Sequence, residues 1–511
     1  MAEPGAEPRE YDVVVIGAGP VGENAADRAA RTGLSVVVAE HELVGGECSY
    51  WACMPSKALL RPGAALAAAR AVPGAARAVN GTVDVAGTLE QRDEFSAHWQ
   101  DSAQVQWLAD AGLDLIRGHA RLTGPRLVEV IGDEGTTTLR ARAAVVVATG
   151  SAALVPDVPG LDQVQPWTSR EATAVREVPE SLAVIGGGVV GTEMATALSD
   201  LGCRVTMLVR GDRLLSGIEP FAGEAVADGL RQMGVDVRFN TAVTEVSKTD
   251  DGVAVQTSDG TQVRAAQVLV ATGRRPRTQA LGLESVGLPA GEPLGIDDSG
   301  QVRDVAGGWL FAAGDVTGRT HTTHQGKYTA RVAGDVIAGR FGQNASSKNH
   351  NGMVAPSNAR SHGHLVPDVG GSGDVVPGTD EESWSPLRAR ADHTAAPQVV
   401  FTRPEVAAVG MTYQQAIDAG YRARAVNVSF DDVAGAALAG DDHGGGAMVV
   451  VDTERQVLLG ATFVGPAVAE LLHAATIAVA AEVPLARLWH AVPAFPTISE
   501  IWLRLLEDYG L

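Results

Sequence analysis

The sequence predicts an α/β chain, because one local pattern occurs twice along it. Tyr11-Asp12-Val13-Val14-Val15-Ile16 reads as a buried strand and runs directly into Gly17-Ala18-Gly19-Pro20-Val21-Gly22, then an Ala-rich helix ending at Gly33. Ser181-Leu182-Ala183-Val184-Ile185 runs into Gly186-Gly187-Gly188-Val189-Val190-Gly191 in the same way, and Thr192-Glu193-Met194 opens the helix. At 511 residues the chain has length for three or four domains of roughly 150 residues each.

In the first copy, Leu34-Ser35-Val36-Val37-Val38-Ala39 forms a second strand that ends at Glu40. Strand, glycine turn, helix, strand and acid make a Rossmann-like unit. Gly17, Gly19 and Gly22 let the backbone approach a pyrophosphate, and Glu40 takes ribose hydroxyls. A turn needed only for close helix–strand packing is the alternative. Ala143 to Val147 is another strand, leading to Thr149-Gly150-Ser151. Trp309-Leu310-Phe311-Ala312-Ala313-Gly314-Asp315 is a third, ending in an acid. Leu127–Ile131 and Thr136–Leu139, joined by Gly132-Asp133-Glu134-Gly135, read as a hairpin.

In the second copy, Gly186, Gly188 and Gly191 form the turn, but the strand Val205–Val209 runs into Arg210, with Arg213 close behind. An acid there holds the free 2′-hydroxyl of NAD, whereas arginine suits the 2′-phosphate of NADP. NADPH is therefore expected over NADH; two solvated surface arginines are the alternative. Val268-Leu269-Val270-Ala271-Thr272-Gly273 closes this unit.

A net charge of -21 argues against nucleic acid or an anionic membrane as partner. No uninterrupted apolar stretch reaches membrane-spanning length. The acidic opening shows no signal-peptide pattern, so a frayed tail over 1–10 and a cytoplasmic protein are expected. Three cysteines make no secreted disulfide framework. Cys203 precedes an apolar run and reads as a core thiol. Cys48 and Cys53 lie in Gly45-Gly46-Glu47-Cys48-Ser49-Tyr50-Trp51-Ala52-Cys53-Met54-Pro55-Ser56-Lys57. Their spacing is long for a disulfide in an ideal helix, but the glycines and Pro55 point to a bent or late-starting one. Thiols at a helix start favour the thiolate. By spacing alone, two buried structural thiols fit equally well.

The glycine turn, Glu40, Cys-x4-Cys followed by Pro-Ser-Lys, Ala-Thr-Gly and Gly-Asp occur in one order. That order resembles the flavin disulfide reductases, the family of lipoamide dehydrogenase, glutathione reductase and mercuric reductase. The resemblance implies FAD in the first fold, with Gly46, Thr149, Gly150 and Asp315 among its contacts. It implies Cys53 against the flavin and Cys48 as the interchange thiol of a redox-active disulfide. Lys57, four residues after Cys53 and on the same helix face, would pair with Glu193 beside the flavin; Gly273 would line the NAD(P)H side. Asp315 also fits a helix N-cap, and His324 fits either the flavin edge or helix packing.

The expected domains are an FAD-binding domain over 1–155 and 281–341, an NAD(P)H-binding domain over 156–280, and a disordered insertion over 342–396. A C-terminal α+β dimerisation domain over 397–511 follows. His362, His364 and His393 read as loop histidines and no metal site is expected. The resemblance further implies a homodimer in which each site is completed by the partner's C-terminal segment. There, His490-Ala491-Val492-Pro493-Ala494-Phe495-Pro496-Thr497-Ile498-Ser499-Glu500 departs from the family pattern His-Pro-Thr-x-Ser-Glu. Phe495 stands at the catalytic histidine's position, Glu500 remains, and His490 is the replacement candidate, with a wall histidine as the alternative. Glu47 adds negative charge near the expected pyrophosphate.

The expected activity is hydride transfer from NAD(P)H through FAD to Cys48–Cys53 and on to a small-molecule acceptor, a disulfide, a quinone or similar. Direct exit of electrons from the flavin to a quinone or metal ion, and a flavoprotein scaffold without turnover, are the competing readings. No cysteine pair lies near the C-terminus to pass on mercury.

Overall fold

The structure, a computed structural model, describes residues 7–342, 384–440 and 445–511. By contacts it falls into two compact units.

The first comprises the described residues of Met1–Gly45, Asp101–Ser151 and Pro276–Asp392. Its sheet places β1 (Arg9–Ile16) between β2 (Val36–Glu40) and the Gly135–Val147 strand, parallel to both. Asp114–Arg117 extends it beyond β2, and Leu310–Ala312 pairs in parallel with Gly135–Val147. The predicted hairpin is present as Leu127–Gly132 antiparallel to Gly135–Val147. β2 is buried along its whole length, which is why its sequence is apolar from Val36 to Ala39 and does not alternate before Glu40. Helix α1 (Pro20–Ala30) crosses the Thr323–Phe341 helix closely; a Cβ on Gly334 would come 2.8 Å from Ala25 O.

Two expectations change here. Arg9 and Glu10, expected in a tail over 1–10, instead pair with Leu139 and Arg140 in the sheet, and residues 1–6 lie outside the described residues. Of the insertion predicted over 342–396, residues 343–383, with His362 and His364, lie outside the described residues. Residues before 397 already make tertiary contacts: Ala389 N donates to Asp298 O at 2.7 Å, and Asp392 accepts from Gln325 Nε2 at 2.7 Å. His393 lies in a short helix, Ala391–Thr394.

The second unit comprises Gly46–Gln100, Ala152–Arg275 and the described residues of His393–Leu511. Its parallel sheet orders Asp236–Arg238, Arg204–Leu208, Ser181–Ile185 and Gln267–Val270. Helix α2 (Gly46–Tyr50) and helix α3 (Cys53–Ala71) belong with it. Leu59 and Leu60 of α3 share one core with Met194, Leu198, Val205 and Val464. Segment 46–100, expected inside 1–155, therefore groups with the second nucleotide sheet. A five-stranded antiparallel sheet, in the order Pro397–Val400, Glu405–Gly410, Val457–Gly465, Gly446–Asp452 and Ala423–Ser429, packs against Val468–Ala480 and Ile501–Tyr509. Among the described residues, no helix is long and apolar enough to cross a membrane.

Candidate functional site

The glycine turns require glycine for steric reasons. Gly17 has φ +100, and its Cβ would sit 2.5 Å from Ala148 O; a Cβ on Gly22 would sit 1.9 Å from Gly17 O. Gly186 has φ +118 with Ala271 O at 2.3 Å, and Gly191 would meet Gly186 O at 2.6 Å. Gly19 and Gly188 are the N-caps of α1 and of Val189–Asp200, and neither has a side-chain cap. A Cβ on Gly188 would meet nothing within 4 Å. Both helix starts thus present amides without a side-chain cap, and at Gly188 the backbone is open as well, which fits a pyrophosphate. Glu40 ends β2 with its carboxylate 2.7 Å from Ala18 N and 2.8 Å from Glu42 N. Burial pushes its pKa up, but bonds from His41, Ala18 and Glu42 outweigh that and hold it below the ordinary value. An ionised acid at this place fits ribose hydroxyls.

Near the same turn, Thr149 Oγ1 donates to Arg277 O at 2.9 Å, and Gly150 has φ +69. Asp315 lies in a 3-10 turn, Gly314–Thr317, and accepts from Ser151 Oγ. His324 is on the Thr323–Phe341 helix, as expected.

The two cysteines flank a helix break. Gly45 and Gly46, at φ +107 and +56, lead into α2, which holds Cys48 and stops at Tyr50. Ala52, at φ -136 and ψ -97, caps α3 without a side-chain bond, and Cys53 is the first residue of α3. The bend inferred from the glycines and Pro55 is this break. It sets Cys53 at the positive end of a 19-residue helix. Both cysteines are half-exposed thiols here. Cys203 is buried, and burial pushes its thiol up to about 12, so it is inert.

Lys57 Nζ lies 2.6 Å from Glu193 Oε2 and 4.9 Å from the centre of the Phe401 ring. Glu193 Oε1 accepts the Phe401 amide at 3.0 Å. Glu47, the added negative charge of the sequence, meets Arg274 Nη2 at 2.6 Å. The guanidinium follows Gly273 (φ +139), at the end of the Gln267–Val270 strand. No local signal pairs residues 227 positions apart. Phe401 was likewise missed.

Arg210 is exposed just past the Arg204–Leu208 strand, and Arg213 donates to Ser216 O at 3.3 Å. At the C-terminal end, Phe495 is 75% exposed. Glu500 is buried and paired with Arg504 at 2.8 Å, not with His490, and its Oε2 has no hydrogen-bond partner among the described residues. His490 is exposed on the turn after Leu485–Leu488. The structure does not join His490 to Glu500.

The model for the pyridine nucleotide-disulphide oxidoreductases matches residues 11–333, and that for their dimerisation domain matches 396–505. A dihydrolipoyl dehydrogenase of Halobacterium salinarum is 31% identical, over 97% of this chain and 95% of that protein. A mercuric reductase of Streptomyces lividans is 32% identical, over 94% and 93%. The solved structure of a copper(II) complex of the HOCl-induced flavoprotein disulfide reductase RclA from Escherichia coli shares the fold. Its TM-score is 0.77 at 22% identity, over 98% of this chain and 99% of that one. The dimerisation domain supports a homodimer. The chain belongs to the pyridine nucleotide-disulphide oxidoreductase family, whose members are FAD-dependent and use NAD(P)H.

Proposed function

We propose that the chain is a cytoplasmic NADPH-dependent oxidoreductase that delivers electrons through Cys48 and Cys53 to a small-molecule acceptor. The observation that carries this reading is the helix break, which leaves two half-exposed thiols at either side of one turn, with the paired Lys57 four residues after Cys53 on α3. The chemistry that bound FAD would supply is acceptance of hydride from the nicotinamide and the two electrons that open the cysteine disulfide. Gly17, Gly19, Gly22 and Glu40 would hold its pyrophosphate and ribose, with Gly46, Thr149, Gly150 and Asp315 beside them. Gly186, Gly188, Gly191 and Gly273 would hold the nicotinamide dinucleotide, with Arg210 on its 2′-phosphate.

Lys57 keeps a positive charge on the Cys53 face of α3. Its ammonium is fixed by Glu193, and Phe401 covers it. Cys53 as thiolate is favoured by the helix start, and Cys48 attacks the acceptor. With a disulfide acceptor, Cys48 displaces one thiolate; Cys53 then closes the Cys48–Cys53 bond and releases the second. Both leaving thiolates need protons. A phenyl ring at 495 supplies none, and Glu500 is engaged by Arg504. Acceptors with less need for a positioned proton donor, such as a quinone, whose reduced oxygens can take protons from water, or a soft metal ion, therefore suit this site better than lipoamide or glutathione disulfide.

Phe495 also favours a second reading, in which electrons leave from the flavin without the cysteines. Steady-state turnover of a Cys48→Ser enzyme with NADPH and a quinone decides between them. The relay predicts loss of at least tenfold in kcat; full retention supports direct exit and overturns the relay.

A further inference from the structure

Breaking a helix between two cysteines strands backbone carbonyls that the regular ladder would have satisfied. Two such carbonyls, Tyr50 O and Trp51 O, sit in the turn between Cys48 and Cys53. Each is met by a side chain from a different part of the second unit. Trp99 Nε1 donates to Tyr50 O at 3.2 Å, and Thr173 Oγ1 donates to Trp51 O at 2.9 Å. The Thr173 hydroxyl also lies 2.9 Å from Ser169 O and 3.3 Å from Arg170 O, its alternative acceptors within its own helix.

Arg92 joins these two contacts. Its side chain is 1% exposed. It donates to Thr173 O, and to Val175 O at 2.6 Å, while its guanidinium lies 5.3 Å from the Trp99 ring centre. Asp93 balances its charge at 2.7 Å. The contacts close a ring: Tyr50 carbonyl, Trp99 indole, Arg92 guanidinium, Thr173, Trp51 carbonyl. Tyr50 is fully buried, and Thr173 is 2% exposed. The Trp51 ring is also pinned, with the Arg170 guanidinium 3.8 Å from its centre.

The backbone at Trp99 is strained to reach this position. Ala97, His98 and Trp99 have φ of +46, +50 and +53, a left-handed run of three non-glycine residues. L-residues disfavour that region one at a time, and three in succession persist only when surrounding contacts enforce it. Here the enforced result is an indole aimed at the inter-cysteine turn.

We propose that Trp99, Arg92 and Thr173 form a closed clamp on the Tyr50–Trp51 turn, and that this clamp sets the equilibrium between the Cys48/Cys53 dithiol and its disulfide. Closing the disulfide forms one S–S bond and releases two protons and two electrons to an oxidant, here oxidised dithiothreitol. Holding the turn broken keeps the thiols in the arrangement that bridges. Releasing it lets the turn relax toward a continuous helix, which separates them and makes the disulfide easier to reduce. Trp99, Arg92 and Thr173 are thus positioning residues. The proposal rests on the reading of Cys48 and Cys53 as a redox pair.

The test equilibrates full-length holoenzyme with reduced and oxidised dithiothreitol and counts Cys48–Cys53 disulfide by alkylation and mass spectrometry. Thr173→Val is expected to shift the equilibrium roughly tenfold toward dithiol, about 30 mV for this two-electron couple. Trp99→Phe is expected to shift it the same way, and Thr173→Ser to restore the wild-type value. Variants that titrate with the wild type overturn the clamp alone. A wild-type protein that forms no Cys48–Cys53 disulfide at any ratio overturns both the clamp and the redox pair. Should Thr173→Val fail to fold, Trp99→Phe against Thr173→Ser carries the comparison.

Discussion

Lys57 Nζ stands 2.6 Å from Glu193 Oε2, while the other oxygen of that carboxylate accepts the Phe401 amide. The glutamate is nearly buried and the lysine about one-third exposed. One residue thereby ties α3, the Val189–Asp200 helix and the start of the C-terminal sheet. An ion pair this open contributes little to stability, about 1 kcal/mol or less. Its value lies in holding one ammonium on the Cys53 face.

Glu193→Gln tests that. The amide keeps an acceptor for Phe401 and loses the charge that fixes Lys57. NADPH-dependent flavin reduction, followed by stopped flow, should slow about tenfold, equivalent to about 1.4 kcal/mol of barrier, with little change in Tm. A fall in Tm at an unchanged rate would make the pair an ordinary structural one.

Arg210 and Arg213 stand where an NAD-binding unit carries an acid. Replacing both by alanine should lower kcat/KM for NADPH at least tenfold and leave NADH within about twofold, because only the 2′-phosphate is lost as a contact. Parallel assays with both nucleotides measure it. An equal effect on the two, or a wild-type preference for NADH, contradicts the assignment.

Glu23, on α1, is pushed up to about 7 by burial, with Lys327 opposing. A carboxyl whose folded pKa exceeds its ordinary 4.5 holds its proton more tightly when folded. Its contribution is full below 4.5 and is lost as pH rises through about 7, on the order of 3 kcal/mol. Glu219 and Glu405 are raised by burial too and add to the same slope. Unfolding midpoints in urea at pH 5 and pH 8 should therefore converge in Glu23→Gln relative to wild type. Identical pH dependence in the two proteins would show that Glu23 ionises at its ordinary pKa.

Much of this was legible in the chain itself. The two glycine turns were, because Gly17 and Gly186 must pass backbone oxygens at distances no side chain tolerates, and that requirement is local. The break between Cys48 and Cys53 was legible from Gly45, Gly46 and Pro55. Lys57 and Glu193 are 136 residues apart, and only a whole-family motif brings them together in advance. Nothing pointed to Trp99 and Thr173. They reach the inter-cysteine turn from 49 and 122 residues away, and the left-handed run at Ala97–Trp99 contains no glycine to announce it. Glu47 is a related case: its charge was visible, but its partner Arg274 belongs to a distant strand end. His490 was picked as the nearest histidine in sequence, and the Arg504 partner of Glu500, one helical turn along, was not read at all.

The electron relay is tested most directly by anaerobic titration of the purified flavoprotein with NADPH. Two-electron reduction should produce a broad long-wavelength absorbance from thiolate beside oxidised flavin, and Cys53→Ser should abolish it. Direct bleaching of the flavin, with no such band and with the same course in Cys53→Ser, would contradict the account.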